Sequence, residues 1–255
     1  LFKAIEKKDY LLYTPYHSFS YVVKFLREAA LDPYVSLIKI TIYRLSKISN
    51  VARALINAAK NGKKVLVQIE LQARFDETNN IIYAEQMQSA GVELIFGIPG
   101  LKVHSKICVI EKKINNVRKR FGFISTGNLN EDTAKVYTDY TLFTSNQKIL
   151  RDVNKVFNFL QVHYKLKKYK HLIVSPHYTH NAIVKQINNE IKNQKLGLSS
   201  GIKLKLNAIT NFSMIDKLYE ASNAGVNIKM IVRGICCLIP GVKGISENIE
   251  VISVV

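Results

Sequence analysis

VSLIKITIYRLSKISNVARALINAAKNGKKVLVQIEL, residues 35–71, decides the fold. Its first ten residues, VSLIKITIYR at 35–44, are rich in β-branched side chains and read as a strand. A helical stretch, VARALINAAKNG, follows, with Asn61-Gly62 placed as its C-terminal cap. The second strand, KVLVQIEL at 64–71, is nearly continuous in Val, Leu and Ile, as a parallel strand covered on both faces should be. Strand, helix, cap and strand in that order make a βαβ unit and place the chain in the α/β class.

Upstream, PYHSFSYVVKFLREAAL reads as a turn and an amphipathic helix, with Ser18 or Ser20 as cap and Val22, Val23, Phe25 and Leu26 facing inward. Downstream come a helix, NNIIYAEQMQSAG, closed by Gly91, and a short strand, VELIF at 92–96. From Gly97 the pattern changes. Pro99-Gly100 turns into LKVHSKICVI, residues 101–110, a strand that contains His104. A basic loop at 111–120 leads to FGFIST, its hairpin partner; YTDYTLFT is a further strand and ILRDVNKVFNFLQVHY a helix.

The Lys-rich linker KLKKYKH then divides the chain into domains 1–165 and 166–255. Past it, KLKLNAIT, MIDKLYEASNAG and VNIKMIVRG repeat the order strand, helix, cap, strand. Gly62 falls on Gly225, and Glu70 and Arg233 sit at matching strand ends. This favours two duplicated βαβ-type domains with mostly parallel sheets. If the second domain owns a histidine equivalent to His104, it is expected past Val255 and the domain is truncated, because the interval of about forty residues from Gly62 to His104, counted from Gly225, runs beyond the sequence. With no initiator Met and an end inside a β-rich run, the chain reads as a piece of a longer protein.

Hydrophobic content of 47% with 22% charged residues excludes a disordered chain, and no apolar run approaches a membrane span. Lys7, Lys8, Glu6 and Asp9 interrupt the N-terminus, which has no signal-peptide core. The three Cys form no CxxC or zinc pattern, so free thiols in a reducing cytoplasm are expected. Thirty-seven Lys and Arg against nineteen Asp and Glu give +18, a balance that attracts polyanions without saying which.

No Gly-rich phosphate loop, kinase signature or GxSxG is present. On a strand, His104 and Lys106 project from one face, which places an imidazole nucleophile beside a cation suited to a phosphate. Parallel sheets take ligands at the carboxyl ends of their strands. Arg44, Arg74 and Arg233 all fall at such ends, and a guanidinium fork grips phosphate oxygens. Asn128, in the STGN turn, could add an amide to the phosphate, and Asp139 could orient His104 through its other ring nitrogen.

In IKITIYR, AAKNGKKVLVQIELQARFDE, GLKVHSKICVI, STGNLNEDTAKVYTDYTLFT, SGIKLKLNAIT, ASNAGVNIKMIVRGICCLIPG and GISENIEVISVV, the chain resembles the bacterial polyphosphate kinases. The resemblance implies a phospholipase D-like fold with two similar catalytic domains, the second present only in its first part. It also implies transfer of the ATP γ-phosphate to polyphosphate through a phosphohistidine. His104 matches the phosphorylated histidine, Tyr137 and Arg233 match ATP-contacting positions, and Arg44 and Arg74 match arginines associated with Mg²⁺. A guanidinium has no lone pair for a metal, so those two are expected on the phosphates that Mg²⁺ bridges. Further implications are a homo-oligomer, ATP, ADP and polyphosphate as partners with no nucleic acid, a cytoplasmic location with peripheral attachment at the inner membrane face, and little activity for this piece alone.

Two rivals use the same residues. A phospholipase D-like hydrolase or nuclease would pass the phosphate to water or an alcohol, but its motif wants Asp where Glu111 stands, and GSxN where this chain has STGN. A non-catalytic polyanion binder explains the charge and leaves the pairing of His104 with Lys106 without a purpose.

Overall fold

The computed structural model describes residues 1–70, 77–162 and 168–254. The chain divides into two compact units, residues 1–172 and 173–255. Along the first run α1 (Phe2–Lys7), β1 (Tyr10–Thr14), α2 (Ser20–Leu31), β2 (Val35–Ile42), α3 (Asn50–Lys60), β3 (Lys64–Ile69), α4 (Glu77–Ser89) and β4 (Glu93–Phe96). They are followed by β5 (Lys106–Ile114), β6 (Val117–Ser125), a 3₁₀ turn (Thr133–Lys135), β7 (Asp139–Thr144) and α5 (Gln147–Gln161).

The strands make one seven-stranded sheet in the order β1-β7-β6-β5-β2-β3-β4. β2, β3 and β4 are parallel, joined by α3 and α4 as crossovers. The expected α/β class is found, and to its parallel part the sheet adds an antiparallel half, with β5 on β2, then β6, β7 and β1. Ile38, Ile40 and Ile42 of β2 and Val65, Val67 and Ile69 of β3 lie in one core with Val22, Val23, Phe25 and Leu26 of α2 and Val51, Leu55 and Ala58 of α3. Ser49 caps α3 by accepting from Ala52 N, and Gly62 ends it at φ +77, a backbone open to glycine at little cost. α5 covers the opposite face over β5 and β6 with Leu150, Val153, Val156, Phe157 and Leu160.

The structure corrects three details. His104 precedes β5, which starts at Lys106. The basic stretch at 111–120 is the body of a hairpin and not a loop: β5 and β6 pair from Lys106↔Ser125 to Ile114↔Val117, and Asn115-Asn116 turn with φ +48 and +63. Part of this charge is neutralised from afar, Lys112 by Asp32 and Lys119 by Glu6, and Arg120 pairs across the hairpin with Glu111. Neither Ser18 nor Ser20 caps α2, whose N-cap is Phe19 with no side-chain bond.

The second unit holds α6 (Thr179–Lys195), β8 (Ile202–Leu206), α7 (Phe212–Asn223), β9 (Ile228–Val232) and β10 (Ile249–Ile252). Its three strands are all parallel, in the order β10-β9-β8. Gly225 ends α7 at φ +88, as Gly62 ends α3, and Arg233 directly follows β9 as Glu70 follows β3. α6, which the sequence pattern did not reveal, packs Ile187 and Ile191 into this core. No helix among the described residues is long and apolar enough to cross a membrane.

Candidate active site around His104

The site lies where the ladder between β2 and β5 stops. Ile40 pairs with Cys108, and one step on the next side chain replaces a rung. Thr41 Oγ1 donates to Ser105 O at 2.6 Å and accepts from Ile107 N at 3.0 Å. Thr41 is fully buried, so both bonds are shielded from water. They fix the segment 105–107, and with it the directions in which His104 and Lys106 leave the backbone.

Lys106 is buried at 4% exposure, whereas His104 is exposed. Lys106 Nζ donates to His104 O at 2.7 Å and lies 2.8 Å from Nδ1 and 3.1 Å from Nε2 of the ring. The two side chains expected to share a face are thus in contact. Burial lowers the Lys106 pKa to about 8, with Asp139 opposing and Arg44 reinforcing the shift. Burial, then Lys106, Arg44 and Lys102, hold His104 below its ordinary 6.5. At neutral pH the pair therefore carries one positive charge, on the lysine, and the imidazole keeps a lone pair.

Tyr43, just past β2, sets its ring edge-on to His104 at 4.7 Å between centroids. The same ring has Lys106 Nζ at 5.3 Å and the Arg44 guanidinium carbon at 5.6 Å from its centre. Arg44 thus lies in the cluster around His104. Arg74 lies outside the described residues.

The arch from Tyr43 to Ser49 is tied down by residues that carried no functional signal in the sequence. Fully buried Asn80, on α4, accepts from Leu45 N at 3.1 Å and donates to Tyr43 O and Glu70 O at 2.9 and 2.8 Å. Tyr83 accepts from Ser49 N and donates to Lys47 O. Glu131 takes Asn50 N and Val51 N on Oε1 and the Ser46 hydroxyl on Oε2, which anchors the loop after β6 to the start of α3.

That loop carries Asn128, whose Oδ1 is buried with no hydrogen-bond partner among the described residues. A buried orphan amide costs about 1–3 kcal/mol and marks a place for a ligand. The Asp139 carboxylate accepts from the Thr126 hydroxyl at 2.7 Å and packs on Gly127, where a Cβ would come within 2.7 Å of it. Among the described residues it bonds Thr126 and not the His104 ring. The expected orienting bond is therefore replaced by an electrostatic effect on Lys106. Tyr137 precedes β7 and is 49% exposed. In the second unit, Arg233 donates from Nε and Nη2 to Asn207 Oδ1 at 3.0 and 2.6 Å.

The described residues contain no group of three or more His, Cys, Asp or Glu side chains able to hold a metal. Arg44 offers only N–H groups. The donor set fits an anion and does not fit a resident Mg²⁺.

Residues 1–166 match the family model described as Polyphosphate kinase C-terminal domain 1, and residues 172–255 match Polyphosphate kinase C-terminal domain 2. The chain belongs to the polyphosphate kinase family. It is 47% identical over 254 residues to the polyphosphate kinase of Escherichia coli K12, and 45% identical to that of Vibrio cholerae. These alignments cover all of this chain but 37% and 36% of those proteins, so the chain spans little more than a third of their length. The crystal structure of the Porphyromonas gingivalis polyphosphate kinase superposes with a TM-score of 0.88 at 42% identity, over 98% of this chain and 42% of that one. A phosphatidylserine synthase of Haemophilus influenzae Rd KW20 shares the fold at 13% identity and a TM-score of 0.54, over 87% of this chain and 61% of that one.

Proposed function

We propose that this chain is the part of an ATP:polyphosphate phosphotransferase that carries the phosphorylated histidine, His104. The observation that carries the proposal is an exposed imidazole, held uncharged, in contact with the buried Lys106 ammonium. In the first half-reaction a ring nitrogen of His104 attacks the γ-phosphorus of ATP. The N–P bond forms, the bond to the bridging oxygen breaks, and ADP leaves with that electron pair. Lys106, whose ammonium lies near both ring nitrogens, moves it onto the phosphoryl oxygens as they gather charge. In the second half-reaction a terminal oxygen of polyphosphate attacks the phosphorus, and the chain grows by one residue as neutral His104 is released.

Arg44 and Arg74 neutralise the phosphates, Asn128 fills its open amide on one of them, and Asp139 keeps Lys106 charged through the exchange. Mg²⁺ enters as part of the nucleotide substrate. Exposed Tyr137 and the Arg233 fork are assigned to the nucleotide, and the division at 165/166 to the two catalytic domains. The complete protein is assigned to the cytoplasm, peripheral to the inner membrane face, as a homo-oligomer.

The test is labelling of the complete protein with γ-labelled ATP. Acid-labile phosphate should appear on the wild type and be absent from His104→Gln. Labelling that persists in the variant overturns the assignment. Labelling that turns over to inorganic phosphate without polyphosphate favours the hydrolase.

A further inference from the structure

We infer that Asn80 is a positioning residue for the His104 chemistry: its amide ties the end of β2 to the end of β3 and clamps the two peptides that flank Arg44. Among the described residues, the last backbone bond between β2 and the chain after β3 runs from Glu70 N to Ile42 O. Next to it lie Tyr43 O, Leu45 N and Glu70 O. Asn80 bonds all three, with both Nδ2 hydrogens and one Oδ1 lone pair in use. Its side chain satisfies backbone groups as a strand peptide would.

Asn is a poor helix former, so α4 gains nothing from holding it at full burial. The gain lies in the arch. Arg44 is the residue between the two clamped peptides, and Tyr43, whose carbonyl takes one bond, packs its ring against His104. Tyr83 and Glu131 secure the later part of the arch, from Ser46 onward, and reach neither peptide beside Arg44.

Asn80 touches no reacting atom, and a purely structural role would also make its loss harmful. The two roles differ in their coupling to Arg44. The inference rests on the phosphohistidine proposal, so both are tested in one series on the complete protein. The first-turnover rate of labelling by γ-labelled ATP is followed from pH 5 to 9 in the wild type, Asn80→Ala, Arg44→Ala, the double variant and His104→Gln. The charged groups acting on His104 are Lys106, Arg44 and Lys102, with Asp139 acting on Lys106.

Each single variant should slow labelling by roughly 10- to 100-fold, the scale of a misplaced catalytic contact, and the double variant should be no slower than the slower single. With the Arg44 charge displaced, His104 holds its proton to higher pH. The acid limb of Asn80→Ala should therefore move upward, as that of Arg44→Ala does. Losses that multiply in the double variant, or an acid limb that stays with the wild type, overturn the role of Asn80 and leave His104 untouched. Labelling of His104→Gln overturns both. If Asn80→Ala does not fold, Asn80→Ser, which keeps a hydroxyl donor, is read against the same outcomes.

Discussion

Lys106→Met should make the protein more stable while removing its chemistry. The side chain is 4% exposed, and its pKa falls from 10.5 to about 8, chiefly through burial. At 1.36 kcal/mol per pKa unit, holding the ammonium in the fold at pH 7 costs about 3 kcal/mol. Met fills a similar volume without charge and gives up the bond to His104 O, worth about 1 kcal/mol. The net gain is about 2 kcal/mol, or a rise of roughly 5 °C in the thermal midpoint at neutral pH. The gain must also depend on pH. Between pH 8 and 10.5 the wild-type fold has released the Lys106 proton and the unfolded chain still binds it, so wild-type stability climbs with pH while that of the variant does not. The difference should close by about pH 10. Calorimetry of both proteins at pH 7 and 10, with labelling by γ-labelled ATP on the same samples, reads all of this. A variant less stable than wild type at pH 7, or an advantage unchanged at pH 10, would refute the account of Lys106 as a charge held against its burial cost.

The pH profile of His104 labelling should be a bell. Its acid limb lies below 6.5, where the imidazole takes a proton and loses its lone pair, and its alkaline limb near 8, where Lys106 loses its charge. Rates that climb steadily to pH 9.5 would rule out the charged lysine. Thr41→Val should strand Ser105 O and Ile107 N in a buried place, destabilise by roughly 2–4 kcal/mol and slow labelling; Thr41→Ser, which can remake both bonds, should recover most of each in denaturation and labelling assays.

What could be read from the sequence follows the distance over which each element is determined. The β2-α3-β3 unit was legible because its apolar pattern and its capping glycine lie within a few residues of one another. Duplication was legible for the same reason, with Gly62 and Gly225 in matching conformations. The β5–β6 hairpin was not, because Lys112 and Lys119 depend on Asp32 and Glu6, which no local pattern connects to them. His104 and Lys106 were found by their spacing, although the strand supposed to align them begins only at Lys106.

That last difference explains why the supporting residues stayed hidden. A histidine inside the ladder would have its backbone bonded on both sides and its ring held against a neighbouring strand, with no open approach for an incoming phosphorus. Placed one step outside, His104 is accessible, but the chain there has lost the bonds that give a strand its rigidity. Thr41 and Asn80 hold the surroundings with side chains: Thr41 takes the place of a rung between β2 and the chain before β5, and Asn80 satisfies backbone groups just past β2 and β3. Such residues have no catalytic chemistry of their own, and one polar side chain in an apolar run looks like a blemish in the pattern. Fully buried Thr and Asn side chains, at or facing the carboxyl ends of parallel strands, are therefore the positions where a small polar-to-apolar change should cost both stability and phosphoryl transfer.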